Sequence, residues 1–371
     1  MAAITDLMQT YDMATTADYS LAEGVHMISP SETPLQLILA KVQVSEIKAE
    51  WLEDQLQPDK THNESTCEAT DTAHLHVHTG DGVLLFNDTI DTVIRCDQEY
   101  MLVTAVSTDT ITVTRGYGST TAATHAAGSI IHIVGQMEHE GADAKPAIAK
   151  VRTRPSNYVQ TFSRTVEVSG VQEAIKKLGG ITSEVDYQIM IAMRQLALEL
   201  EKTLVMGVKS QVGDGSSAYR TMGGLWAMLT SNRTSDSGAI DTTAIEADIR
   251  TMWEAGGVPR AIVCTGKMAQ EIANLYSSRV VTNVESQLGG INITSIINPL
   301  GTGPIAIVPH RQMAAGEYFT LDTSKIALGY LRPFFMDPLA KVGDAEMRWI
   351  GGDYTLEVIN EAAHTYRYGL T

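Results

Sequence analysis

The chain has 371 residues, of which 44% are apolar and 19% charged, and its formal net charge is −17. That length exceeds one compact core and predicts about two or three domains, while the apolar content excludes a disordered chain and no run approaches the roughly eighteen apolar residues of a membrane span. The negative charge repels phosphate and argues against a dedicated nucleic-acid reader, although an acidic protein can enclose nucleic acid without gripping it.

Met1 to Gln9 has neither a basic start nor a long apolar run, so the sequence reads as a cytoplasmic product. Residues 1–60 carry ten acids against Lys41, Lys48 and Lys60, a net of −7. Periodicity there is poor, and Pro30 and Pro34 divide the stretch, which predicts an extended arm with one short apolar run from Leu35 to Ala40. Val42, Val44, Ile47, Ala49 and Trp51 then fall nearly in step and predict that a strand begins.

Residues 71–137 turn to Val, Ile and Thr in short alternating runs and predict a small β unit. Its expected strands are Leu75–His78, Val83–Phe86, Tyr100–Ser107, Ile111–Thr114 and Ser129–Val134, with a hairpin closed at Thr108–Thr110. RGYGSTTAATHAAG, residues 115–128, reads as a surface loop. Lys145, Lys150, Arg152, Arg154 and Arg164 follow with no acid between Lys145 and Arg164. Their charge complements the acidic arm, so Glu50, Glu53 and Asp54 on one side and these five cations on the other are the candidate residues for contact between subunits.

Tyr158–Val168 alternates as a strand, Ser169 and Gln172 form a capping box, and Val171, Ala174, Ile175 and Leu178 form the expected buried stripe of a short helix. The strongest signal is Thr182 to Gly207. Val185, Ile189, Met193, Leu196, Leu200 and Leu204 recur at steps of three and four, predicting one face of a long helix, and Tyr187, Ile191, Leu198 and Val205 widen it. Ser183 is the expected N-cap, Gly207 a stop that tolerates a left-handed conformation, and Glu199 and Lys202 are spaced to pair. Beyond it, residues 241–309 read as an α/β unit. A helix from Asp241 or Thr243 turns Ile245, Ile249, Met252 and Trp253 inward, a buried strand covers Ala261–Cys264, a helix capped by Thr265 runs to Tyr276, and strands lie near Ile291–Ile297 and Ile305–Pro309. The last part, from Tyr318 to Tyr368, is β-rich.

Chemistry-bearing patterns are weak. His74, His76 and His78 share one strand face, but a metal site usually draws ligands from more than one element, so the spacing assigns none. RGYGST lacks the third glycine and the βαβ setting of a dinucleotide loop, and GDGSS lacks the lysine of a P-loop. No GxSxG elbow, HExxH pair or kinase set occurs, and no two acids can be assigned as acid and base. Cys67, Cys96 and Cys264 have no CxxC spacing and read as small apolar thiols. The sequence therefore assigns no catalytic residue, cofactor or metal.

VSGVQEAIKKLGG, then SEVDYQIMIAMRQLALELEKTLVMG, and finally GYLRPFFMDPLAKVGDAEMRWIGGDYTLEVINEAAHTYRYGL resemble the equivalent segments of major capsid proteins of tailed bacteriophages. The resemblance implies the α+β Hong Kong 97-type fold. Mapped here, it gives an N-terminal arm over 1–45 and an extended loop over 46–165 with a β insertion at about 71–137. A peripheral domain with the spine helix follows over 166–212, then an axial domain over 213–315 and a peripheral β segment over 316–371. It further implies a non-enzymatic protein that self-assembles as hexamers and pentamers into an icosahedral shell around double-stranded DNA, touched non-specifically. The partners implied are a portal, decoration proteins and a separate scaffold, with assembly in the bacterial host cytoplasm and no membrane. The strand pattern starting near Val42 leaves no room for a built-in scaffolding region. Two other readings stand beside it, an encapsulin-like nanocompartment shell and an α/β enzyme centred on 241–309. The insertion is expected on the outer surface.

Overall fold

The computed structural model describes residues 32–68, 74–86, 92–137, 140–141, 151–175, 181–213, 218–276, 280–288, 291–341 and 343–371. These fall into two compact units, Leu52–Thr153 and the chain on either side of it, up to Trp51 and from Arg154 onward. No helix among the described residues is long and apolar enough to cross a membrane. Residues 1–31, most of the expected arm, lie outside the described residues, as does Leu178.

In the larger unit, Ala40–Gln43, Ile326–Pro338, Ala345–Val358 and Gln160–Ser169 form a four-stranded sheet in that order, the first pair parallel and the others antiparallel. The strand expected from Val42 to Trp51 is broken in two, Ala40–Gln43 and Lys48–Glu50, and Val42 and Ile47 are exposed. Seven strands make a second, mixed sheet in the order Arg233–Ser235, Thr365–Tyr368, Tyr318–Leu321, Ala261–Cys264, Pro304–Pro309, Ile291–Ile297 and Val280–Leu288. Ala261–Cys264 is buried at every position, as its unbroken apolar run requires at the middle of a sheet covered on both faces. Helix Thr242–Glu254 buries Ile245, Ile249 and Met252 as expected, but Trp253 is 54% exposed and Asp248 takes an inward place. Asp248 is buried because it is paired: it accepts hydrogen bonds from the Tyr318 hydroxyl (2.6 Å) and from Arg367 Nε (3.0 Å) and Nη2 (2.7 Å). Thr265 flanks helix Gly266–Leu275 but makes no side-chain cap.

The long helix runs from Glu184 to Met206, with Ser183 Oγ accepting from Asp186 N–H (3.2 Å). Its buried residues are Val185, Ala192, Leu196, Leu200, Glu201, Leu204 and Val205, and it packs against Gln160–Ser169 and Ala345–Val358. Met193, expected inward, is 39% exposed. Two turns of 3.6 residues from Val185 land on position 192, so Ala192 keeps phase with the face and Met193 slips off it. Gly207 does not adopt a left-handed conformation; its φ is −58°. It is glycine for lack of room, since a Cβ there would lie 2.5 Å from Thr203 O and 2.6 Å from Met222 O. Glu199 meets Arg164 (3.8 Å), and no pairing to Lys202 forms.

Glu201 is fully buried in this helix. Its carboxylate accepts from Leu35 N–H (2.6 Å), Gln36 N–H (3.2 Å), Gln36 Nε2 (3.0 Å) and His310 Nε2 (3.0 Å). Leu35 and Gln36 belong to the single helical turn Pro34–Ile38, whose free first-turn amides need an acceptor and whose positive end suits an anion. His310 Nδ1 accepts from Gln312 N–H (3.2 Å), which leaves Nε2 to donate to Glu201.

The smaller unit is a six-stranded antiparallel sheet in the order Lys60–His62, Ile130–Gln136, Thr92–Cys96, Glu99–Ser107, Thr110–Thr114 and His74–His76. Leu75, Ile94, Met101, Val103, Ile111 and Ile131 lie at its core. Val83–Phe86, expected as a strand, belongs instead to helix Asp81–Phe86. Four apolar residues fit either state, and Asp109 decides it by accepting from Gly80 N–H (2.8 Å) and Gly82 N–H (3.3 Å) at the helix start. The loop after Arg115 is pinned from beneath by Glu99, which is 1% exposed. Glu99 accepts from Arg115 Nε (2.7 Å) and Nη2 (2.8 Å), Gly116 N–H (3.0 Å), Ala123 N–H (2.9 Å) and His125 Nε2 (3.0 Å). Burial raises this carboxyl, but Arg115, the two amides and His125 outweigh burial and hold it down to about 2.

Two outcomes follow. Glu201→Leu removes the acceptor of four donors and should lower unfolding stability by about 3 kcal/mol or more, read as a lower urea midpoint; an unchanged midpoint means the Pro34–Ile38 turn is held otherwise. Because the Glu99 carboxyl is depressed on folding, its stabilisation is complete above about pH 4.5 and fades as pH falls toward 2, by about 3 kcal/mol in all. Amide protection in residues 115–125, corrected for the intrinsic exchange rate at each pH, should therefore fall over that window in the parent chain and lose this pH dependence in Glu99→Gln.

Candidate assembly surface

The candidate contact residues are found mostly in pairs within the chain. In the smaller unit Arg152 Nε lies 3.0 Å from Asp54 Oδ2, with side chains 65% and 59% exposed, and Glu53 exchanges backbone hydrogen bonds with Thr153. In the larger unit Arg154 lies 3.6 Å from Glu50, which also binds Lys48, and Arg164 meets Glu199. The Lys48 ammonium beside it holds the Glu50 carboxyl below the usual carboxylate range, and Glu50 in turn raises Lys48. Lys145 and Lys150 lie outside the described residues. Such exposed pairs contribute little to folding and are free to exchange partners in water.

A further ion pair ties the start of the described chain to the larger unit. Glu32 meets Arg311 Nε at 2.5 Å, one step before the turn that Glu201 caps, and Arg311 holds the Glu32 carboxyl below its usual range. Ala40–Gln43 then adds a parallel edge to the four-stranded sheet, exposed at all four positions. One edge of that sheet is thus made by a segment remote in sequence.

Apolar side chains missing from the core mark the rest of this surface. Val171 and Ile175, expected in a buried stripe, are 64% and 55% exposed. Their helix is only Gly170–Ala174, capped by Ser169 Oγ as expected, and Glu173 accepts from the first amide of the long helix, Glu184 N–H (2.8 Å). Met190 and Met193 are exposed on the long helix itself. Sequence periodicity registers Val171, Ile175 and Met193 as core residues, whereas Met190 belongs to neither expected apolar set of the long helix. Apolar groups turned outward from an ordered helix favour contact with another surface.

The three cysteines form no disulfide and are buried, as expected of small apolar thiols, and burial pushes Cys96 and Cys264 up to about 12. The glycine loop at 115–120 offers its Gly116 amide and its guanidinium to Glu99, so the protein's own carboxylate occupies the donors that a phosphate would need.

A sequence model of the family described as SU10 major capsid protein matches residues 6–371. No curated protein matches the chain. Among solved structures it is similar to the capsid of a native GTA particle, with TM-score 0.54, 9% identity and 100% of each chain covered. It is likewise similar to a chain of Mycobacterium phage Bobi, at TM-score 0.53 and 9% identity over 99% of each chain. A third is the capsid of Myoviridae phage XM1, at TM-score 0.51 and 10% identity over 99% of this chain and 100% of that one. At such identities the likeness is one of fold, and the fold is the Hong Kong 97-type α+β arrangement implied by the sequence resemblance.

Proposed function

The chain belongs to the SU10 major capsid protein family and is a capsid shell protein of a phage particle; from that premise we propose that its copies join as hexamers and pentamers and close an icosahedral shell around double-stranded DNA. The observation that carries this reading is the family match over residues 6–371, nearly the whole chain, so no separate catalytic module need be accounted for. The protein acts as structure and not as an enzyme. Its net charge of −17 suits a wall that packed DNA lies against without adhering. A separate scaffold, a portal and decoration proteins are the further partners, and assembly takes place in the host cytoplasm.

The contacts between copies are assigned to two kinds of group. Val171, Ile175, Met190 and Met193 supply apolar area, which loses contact with water only when a second copy covers it. Glu50, Glu53, Asp54, Lys145, Lys150, Arg152, Arg154 and Arg164 supply charge that fixes register and speeds encounter. The pairs seen within the chain support rather than oppose this, because exposed pairs exchange partners at little cost. The 1–45, 46–165, 166–212, 213–315 and 316–371 segments would then take the arm, extended-loop, peripheral, axial and closing peripheral roles.

Negative-stain electron microscopy of the purified chain tests the reading: uniform shells or capsomers are expected, and small discrete oligomers alone would return the enzyme alternative. Native particles should carry DNA; closed shells without it would favour a nanocompartment. Met193→Asp and Val171→Asp should each abolish shells while leaving the unfolding midpoint within about 0.5 kcal/mol of the parent, since both side chains are exposed. Normal shells from both variants would remove this face from the interface.

A further inference from the structure

Alternation along His74, His76 and His78 puts three imidazoles on one strand face, yet they do not converge on one another. Each of the first two is opposite the neighbouring strand, His74 paired with Thr112 and His76 with Thr110, whose hydroxyl lies 3.1 Å from His76 Nδ1. The third meets a different pair. An antiparallel bridge between Asn63 and Val77 sets His62 opposite His78 and Glu64 opposite His76. Backbone hydrogen bonds fix that register, His78 N–H donating to His62 O (3.1 Å) and Glu64 N–H to His76 O (2.8 Å). Thr61, Asn63 and Val77 point into the unit and are buried, so His62, Glu64 and His78 all project from the outer face and are exposed.

There they form a close set. The His62 and His78 ring centroids lie 4.6 Å apart, and Glu64 Oε1 lies 3.1 Å from His78 Nδ1. One ligand atom from each of the three falls within 4.8 Å of the other two. Glu64 is oriented from behind by Thr79, whose N–H (3.0 Å) and hydroxyl (3.3 Å) donate to the same oxygen.

We propose that His62, Glu64 and His78 bind one divalent transition-metal ion, with zinc the best fit. Two imidazoles and a carboxylate are a borderline nitrogen and oxygen donor set, which suits zinc and its neighbours and is too poor in oxygen for calcium or magnesium. Ligand atoms around a tetrahedral zinc at bonds of about 2.0–2.1 Å stand roughly 3.3 Å apart, which the His78 and Glu64 atoms already satisfy. The exposed His62 ring closes the remaining gap by rotating about its own side-chain bonds, and water fills the fourth position. The ion ties two strand segments of a unit with a small core, so it stabilises the folded unit in proportion to its occupancy. The Cys96, Asp97 and His125 group is a poorer candidate, because both His125 nitrogens are taken by Asp97 and Glu99 and the Cys96 thiol is raised by burial.

The full chain, stripped with chelator and dialysed, is titrated with zinc chloride by calorimetry and with cobalt chloride by visible absorption. One saturable site is expected, with a four-coordinate cobalt spectrum and a thermal midpoint that rises with zinc and not with calcium. His62→Ala and His78→Ala should each weaken zinc at least about tenfold, Glu64→Gln should also weaken it, and His74→Ala should leave it unchanged. All four side chains are exposed, and circular dichroism checks that each variant is folded. Absence of saturable zinc binding in the parent chain, equal affinity in the His62→Ala/His78→Ala double variant, or loss of binding on His74→Ala would each overturn the proposal.

Discussion

The larger unit depends on one buried carboxylate. Glu201 stands on the inner face of the long helix, where an unpaired charge would cost several kcal/mol, and its four donors come from positions 35, 36 and 310. Those donors have needs of their own. The first-turn amides of Pro34–Ile38 have no partner within so short a helix, and His310 follows directly on a central sheet strand. Each group is tolerated in the core only because the others are there. The result is a three-way joint between an N-terminal turn, the long helix and the seven-stranded sheet, with Leu35 and Leu39 packed into the same core.

Other polar groups repeat this logic at the remaining junctions. Asn157 is fully buried; its amide donates to Gly223 O (2.9 Å) and Leu356 O (2.8 Å) while its oxygen accepts from Gly223 N–H (2.8 Å). It therefore joins strand Ser156–Tyr158, the Met222–Gly224 turn and strand Ala345–Val358. That turn presses on the end of the long helix, where a Cβ on Gly224 would stand 2.4 Å from Thr203 O. Asp248, Tyr318 and Arg367 do the same for helix Thr242–Glu254 and its sheet, and burial together with Asp248 raises the Tyr318 hydroxyl so that it stays a donor. Apolar packing alone tolerates sliding, whereas bonds with fixed lengths and angles do not.

These joints explain what could and could not be read in the sequence. Long periodic segments were legible because the signal is local: Ser183 caps the long helix, Ala261–Cys264 is a buried strand, and the hairpin at Thr108–Thr110 turns where expected, with Thr108 at a φ of 55°. Glu201 was not, since a lone carboxylate on a helix reads as solvent-facing and its partners lie 166 and 109 positions away. Glu99 beneath the glycine loop was hidden in the same way, its donors being visible only once Arg115 and His125 are folded over it. Where apolar residues were misplaced, the error was one of phase or length. Met193 sits one position off the face, Val83–Phe86 is too short to choose a period, and Val171 and Ile175 lie on a helix too brief to have an inside. The histidine alternation showed one exposed face but not that His62 and Glu64 lie beside His78, because Asn63 opposite Val77 is a pairing no local pattern announces.

In the proposed shell of hexamers and pentamers, the same surfaces would have to fit neighbours at several slightly different angles. Rigidity inside the subunit and weakness at its surface meet that demand together. Four geometry-bound groups are internal: Glu201, Asn157 and Asp248 are nearly or wholly buried and satisfied by partners from at least two elements, and buried Glu99 is satisfied by the 115–125 loop. The outward groups are of the opposite kind, thioethers and branched methyls that pack without angular preference and ion pairs that are half or more exposed, such as Arg152 with Asp54. If these groups form the proposed contacts, each is too weak to deform a subunit whose own joints cost several kcal/mol to break, so copies would adjust at their boundaries and keep their shape. In the proposed shell, strength would then come from repeating the same weak contacts by symmetry.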